Sequence, residues 1–314
     1  MPSSSPTACS AARRASWPTS SFRRRSWTRL RTGISPGSAS GVRTCAPTGR
    51  GCRVGRGNPS GGRPRGNRPA AAAAPEWPRK HGDVEDMRET PEDSVGLGVK
   101  EIVDHYEALI RELDQPPVLI GHSYGGLFVE LLLDRGLGRA GVAMSPAPPK
   151  GILALPFSTL KAGSPALAHP SKWHGVVTLT PEEFTYGFVN TFTPEKAKEA
   201  YDRYCVPETG QIFYEAGFAN FHLHPPTEVH FKNGDRAPLL IVGADEDHTV
   251  PAKLSKAQYK KYERSPAHTD YLEFAGRPHL HMVADGWEEV AEAVAGWIES
   301  VPAAPAEAVE GAPA

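Results

Sequence analysis

The order of apolar and polar residues divides the chain into a periodic part and an aperiodic one. From residue 99 onward, Val99, Ile102, Val103, Tyr106, Leu109, Ile110 and Leu113 recur at intervals of three and four. That spacing predicts an amphipathic helix with one face free to pack. Pro116 and Pro117 end it, and residues 118–120 read as a short buried strand running into Gly121. A second helix is predicted at once, with Leu127, Phe128, Leu131 and Leu132 as its apolar residues, and then a second buried strand at 141–144.

The alternation breaks at Pro146, Pro148 and Pro149. Residues 150–235 read as loops and short helices, two of them announced by Thr180-Pro181-Glu182 and Thr193-Pro194-Glu195, each a capping Thr before a first-turn Pro and an acid. This insert is rich in rings, among them Phe184, Tyr186, Phe188, Phe213, Tyr214 and Phe218. Most are expected to hold the insert together, with two or three facing a substrate. Strand and helix then resume: a strand at 239–243, a helix from about 251, a strand at 271–274, and a last helix with Val290, Val294, Trp297 and Ile298 on one face. Strands separated by helices imply right-handed crossovers and a mostly parallel sheet covered by helices on both faces. The class is α/β.

Composition changes the picture at the N-terminus. Residues 1–75 hold 14 Arg, no Lys, no acid and only four Leu, Ile or Val, so a net charge of −1 conceals +14 followed by −15. Such a segment buries too little apolar surface to offset roughly 1–2 kcal/mol of backbone entropy per ordered residue. It is expected to be a disordered leader, or GC-rich coding sequence read out of frame; it lacks the amphipathic helix of a transit peptide. The expected plan is a leader at 1–75, a globular domain at 76–301 with a cap insert at about 150–235, and a disordered tail at 302–314.

The longest apolar run is the five alanines at 70–74, whereas a bilayer span needs about 20 apolar residues. No membrane span is expected, and a cytoplasmic location is. Cys9, Cys45 and Cys52 lie in the leader without C-x-x-C spacing, and Cys205 stands alone, so neither a disulfide framework nor a zinc site is expected. The arginines suggest a nucleic-acid arm, but with only Trp17, Phe22 and Trp27 as stacking residues a solvated tail is the expectation.

The chemistry concentrates in Gly121-His122-Ser123-Tyr124-Gly125-Gly126, which follows a predicted strand and opens a predicted helix. That is the context of a G-x-S-x-G nucleophile elbow. A serine held in a strained turn needs small residues two before and two after it, here Gly121 and Gly125, so that strand and helix can approach. The helix N-terminus then directs unpaired N–H groups at a developing oxyanion, with Tyr124 N–H the expected donor. A serine hydroxyl needs a base oriented by a carboxylate. Asp245, Glu246 and Asp247 follow the strand at 239–243, and His279 and His281 follow the strand at 271–274, both at strand carboxyl ends where α/β sheets place their sites. His222-Leu223-His224 and His279-Leu280-His281 each look like half a metal site, but no further ligands stand at suitable spacing.

From about residue 74 to 301 the chain resembles the α/β-hydrolase-fold superfamily, in particular capped bacterial serine hydrolases, through Gly-His-Ser-Tyr-Gly-Gly at 121–126, Asp-His-Thr-Val-Pro at 247–251 and Phe-Ala-Gly-Arg-Pro-His at 274–279. The resemblance implies Ser123 as nucleophile, Asp247 as acid and His279 as base. It also implies a cofactor-free esterase or lipase-like hydrolase acting on a small, fairly apolar acyl substrate through an acyl-enzyme. A perhydrolase would use the same three residues. The fold it resembles starts with strands that the leader lacks, and its second oxyanion loop, often His-Gly, has no counterpart, since His81-Gly82 follows no hydrophobic strand. That gap motivates a rival expectation, a catalytically inactive or truncated binding protein of the same fold.

Overall fold

The computed structural model describes residues 72–301 apart from 154, 155 and 169, so most of the expected leader and the tail at 302–314 lie outside the described residues. The chain divides after Pro69, and every described residue belongs to the unit Ala70–Ala314. Order is already evident at Trp77, whose ring meets Phe128 edge-on with centroids 5.6 Å apart, and at Lys80, whose ammonium sits 2.6 Å from Glu208. A short helix α1 (Val84–Glu89) follows, begun by a reciprocal capping box between Asp83 and Asp86.

The predicted first long helix is α2 (Val99–Arg111). Its N-cap, Gly98, has no side chain to offer, and the carboxylate of Glu215 accepts the Val99 N–H at 2.7 Å instead. A cap from a distant segment thus does the work that a local Ser or Asp normally does. Strand β1 (Val118–His122), helix α3 (Tyr124–Asp134) and strand β2 (Ala140–Met144) come next. Residues Gly126 to Leu133 of α3 are all buried, which makes it the central helix of the larger core.

Between β2 and strand β5 (Leu239–Ala244) the chain forms α4 (Phe157–Leu167), α5 (Pro181–Phe188), α6 (Pro194–Tyr204) and α7 (Gln211–Gly217), with an antiparallel pair of two-residue strands, β3 (Val176–Val177) and β4 (Glu208–Thr209). Both predicted start signals act: Thr180 caps α5 in a capping box with Glu183, and Thr193 caps α6 by accepting from Lys196 N–H. After β5 come α8 (Ala252–Tyr262), β6 (Thr269–Phe274) and α9 (Trp287–Ser300).

Among the described residues the main sheet has four parallel strands in the order β1-β2-β5-β6. Helices α2, α3 and α8 cover one face, where Leu127, Phe128, Leu239, Ile241 and Tyr262 share a core. Helix α9 covers the other through Val290, Val294 and Trp297 against Val142, Leu240 and Val242. The expectation of a buried strand at 118–120 needs correction, because Ile120 is 57% exposed. β1 is the edge of the described sheet, and of its residues only Val118 packs against the α9 cluster. No helix among the described residues is long and apolar enough to cross a membrane.

Candidate active site

Ser123 occupies the single residue between the end of β1 and the start of α3, with φ 55° and ψ −118°. A non-glycine residue held there costs about 1–3 kcal/mol and persists only when its surroundings fix it. They do. Ser123 donates its N–H to Met144 O at 2.9 Å, and its carbonyl accepts from Gly126, Leu127 and Ala147. The steric expectation for the flanking glycines holds at Gly121, where a Cβ would lie 2.0 Å from Gly125 O. It fails at Gly125, where a Cβ would meet nothing within 4 Å. The tight second position is Gly126, whose Cβ would come within 2.8 Å of Pro146. Strand-to-helix approach is thus limited on the helix side by the β2 exit rather than by β1. Tyr124 is the first residue of α3, so its N–H has no intrahelical acceptor. Its hydroxyl is occupied with Ile212 O at 3.2 Å.

The acid loop turns one carboxylate inward. Asp247 is buried, whereas Asp245 and Glu246 are exposed, and Asp245 accepts Gly276 N–H at 2.6 Å. Asp247 Oδ1 accepts the N–H groups of Thr249 and Val250 at 2.8 and 2.7 Å, and its Oδ2 faces His279 Nδ1 at 2.7 Å. Burial alone would raise this carboxyl. The His279 charge and hydrogen bond, with help from Val250 N–H and the Ser145 hydroxyl, outweigh it and hold the group below the usual range. With Nδ1 donating to a carboxylate, His279 is left with Nε2 as its acceptor. That nitrogen is buried and has no hydrogen-bond partner among the described residues.

His279 itself is 0% exposed, with the ring of His122 tilted against it at 4.4 Å and Phe188 edge-on at 5.1 Å. His281 is also fully buried, but it makes no bond to a carboxylate among the described residues, and burial first, then His279, pushes it down to about 4. It is therefore neutral and carries no carboxylate orienter. Of the two histidines in this loop, only His279 is joined to an acid.

The end of α5 is bonded to both loops. His248 Nδ1–H donates to Tyr186 O at 2.9 Å, Thr249 hydroxyl to Gly187 O at 2.7 Å and Leu280 N–H to Phe188 O at 3.0 Å. Of the rings in the insert, Phe188 is the one that touches His279, and it also stacks on Phe184 in a cluster with Phe192 and Tyr201. Ser145 was not singled out by sequence. It stands at the exit of β2 with φ 40°, a second strained serine at a strand carboxyl end, which is the signal that marks it.

His81-Gly82 lies just ahead of α1, with His81 exposed. His222 and His224 are exposed, and His224 bonds Glu228. Among the described residues no group of three or more His, Cys, Asp or Glu side chains converges as a metal site would require.

A parallel sheet whose first described strand passes through a strained serine into a buried helix defines the class as an α/β hydrolase fold. The chain belongs to the alpha/beta hydrolase family, whose model matches residues 16–293, and it is a hydrolase by that membership. The match begins upstream of the resemblance found in the sequence, within the Arg-rich segment. No curated protein is significantly similar to it in sequence. Solved structures similar to it include the BpoC protein of Mycobacterium tuberculosis H37Rv, at 18% identity over 68% of this chain and 78% of that one, with a TM-score of 0.50. A monoacylglycerol lipase of Paleococcus ferrophilus is 24% identical over 64% of this chain and 75% of its own, with a TM-score of 0.46. A pyrethroid hydrolase of Sphingobium faniae JZ-2 is 14% identical over 68% and 80%, also at 0.46. The likeness to BpoC is one of fold.

Proposed function

We propose that the protein is a serine hydrolase of the esterase or lipase-like kind, in which Ser123, His279 and Asp247 act as nucleophile, base and acid. The observations that carry this reading are a strained Ser123 at the β1 exit, whose neighbour His122 bonds the backbone of His279, and the His279 imidazole, bonded to a buried carboxylate through Nδ1 and unpartnered at Nε2 among the described residues. Ser123 Oγ attacks the ester carbonyl while His279 Nε2 takes its proton, and Asp247 stabilises the imidazolium. The oxyanion develops against the N–H of Tyr124 at the positive end of α3; one such donor is worth about 10²–10³ in rate. His279 then returns the proton to the leaving alcohol as the tetrahedral centre collapses to an acyl-enzyme. A water, deprotonated by the same nitrogen, attacks the acyl carbon, and the acid departs as Ser123 regains its proton.

The segment between β2 and β5 acts in this reading as the cap, with Phe188 on the base and the end of α5 fastened to both loops. The ring-rich sequence of this segment favours a small, fairly apolar acyl group. The test is hydrolysis of p-nitrophenyl acetate and butyrate by the native chain and by Ser123→Ala. Turnover by the native chain that disappears in the variant supports the reading; equal turnover by both removes it. The open edge at Ile120 favours a second reading, a binding protein of the same fold, for which neither chain would turn over ester.

A further inference from the structure

The acidic globular part carries one apolar face that is poor in acids. Residues 150–181 and 216–227 contain no Asp or Glu, yet hold Lys150, Lys161 and Lys172, in a part of the chain (76–314) where acids exceed bases by 15 overall. The same two segments carry the large apolar side chains Leu153, Phe157, Leu160, Phe218, Phe221 and Leu223, all exposed. Phe157 and Phe221 are 80% and 82% exposed, the most of any large apolar residue in the described core or on its surface.

Hydrogen bonds fasten the two segments side by side. Asn220 accepts Gly151 N–H at 2.7 Å and donates to Ile152 O at 3.1 Å, and Lys150 donates to Leu223 O while pairing with Glu228 at 2.9 Å. A file of stacked rings, Trp173, Tyr214 and Phe218, with Phe221 beyond, leads to this face, with Tyr214 its buried member. On α4, Phe157 and Lys161 stand one turn apart on the same side, an apolar group beside a cation. A group of exposed apolar side chains of this kind marks an interaction site. Apolar side chains near Lys161 and Lys172, which pair with no acid among the described residues, on an otherwise acidic body match a surface with an apolar interior and anionic headgroups.

We propose that the face built from Leu153, Phe157, Leu160, Phe218, Phe221 and Leu223 docks on an anionic lipid surface, inserting Phe157 and Phe221. The face adjoins the candidate site, since a Cβ on Gly187 of α5 would sit 3.6 Å from Ala162 of α4, and Gly187 O accepts the Thr249 hydroxyl. Docking does not depend on Ser123 acting as a nucleophile.

The test is co-sedimentation of the full chain with vesicles of phosphatidylglycerol and phosphatidylcholine, compared with phosphatidylcholine alone. The leader arginines attract anionic headgroups by themselves, so the informative contrast is between the native chain and Phe157→Asp/Phe221→Asp, which share that leader. The expected result is preference for the anionic vesicles and a fall of at least about tenfold in partition coefficient for the double variant, with its melting curve unchanged. Ser123→Ala is expected to partition as the native chain does, which separates this inference from the hydrolase reading. Equal partition of the native chain and the double variant overturns the proposal. So does a native dimer that the double variant converts to monomer without any change in vesicle binding, because the face would then join two copies of the chain.

Discussion

His122 donates its Nε2–H to the backbone carbonyl of His279 at 3.0 Å, so the residue before Ser123 holds the residue proposed as its base. The two rings stand 4.4 Å apart. Burial, followed by the charges of His279 and His281, pushes His122 well below its ordinary value, so it stays neutral beside an imidazolium. His122 is a positioning residue. His122→Ala is expected to lower kcat about tenfold, the worth of one buried hydrogen bond, with KM little changed. His122→Gln, which keeps a donor at similar reach, is expected to recover most of that loss. Steady-state kinetics on a p-nitrophenyl ester checks both, and an equal fall in the two variants would remove the positioning role.

Glu130 of α3 is buried, and its Oε2 accepts the Tyr262 hydroxyl at 2.7 Å while Oε1 has no partner among the described residues. Burial raises its carboxyl to about 8, against partial opposition from the Tyr262 hydrogen bond and Arg236. A folded-state value above the unfolded one means that the folded chain binds more protons between pH 4.5 and about 8. Stability from this group therefore falls as pH rises through that window, by a few kcal/mol at most on the scale of about 1.4 kcal/mol per unit. Glu130→Gln, which mimics the protonated acid, is expected to match the native chain near pH 5 and exceed it near pH 8.5. Urea denaturation at the two pH values checks this.

The two glycines flanking Ser123 are expected to respond differently to alanine. Gly121→Ala drives a Cβ into Gly125 O and should prevent stable folding. Gly125→Ala meets open space inside a helix, where alanine is favoured over glycine by up to about 1 kcal/mol. Thermal unfolding is expected to show Gly125→Ala at or above the native Tm. A Gly125→Ala loss as large as that of Gly121→Ala would contradict the geometry.

Asp247→Asn leaves the loop hydrogen bonds to Thr249 and Val250 possible but takes the anion from His279. By analogy with the carboxylate of other serine triads, kcat should fall by about 10⁴. The same change at Asp245 is expected to leave kcat within a few-fold, because Asp245 is exposed and bonded to Gly276 N–H. Ester turnover of the two variants separates the roles.

What the sequence made legible was local. The strand into Gly121, the helix out of it, and the Thr180 and Thr193 caps depend on neighbours a few residues away. Pattern reached them. The choice of Asp247 over Asp245 and Glu246 was not legible in residue types alone, because it depends on which carboxylate the turn at Thr249 and Val250 points inward. The steric duty of Gly126 was hidden for the same reason, since Pro146, which enforces it, arrives only when β2 pairs with β1. Periodicity also read β1 as buried, for an apolar strand looks the same in the middle of a sheet and at its edge. Helix α4, with Pro165 inside it, shows no pattern strong enough to separate it from loop.

The most direct test of the central claim is labelling of the folded native chain by a fluorophosphonate probe, with the modified peptide mapped by mass spectrometry. The account predicts a single stoichiometric adduct on Ser123 that vanishes in Ser123→Ala and slows sharply in His279→Ala. A folded native chain that takes up no probe, or one labelled equally in Ser123→Ala, would contradict it.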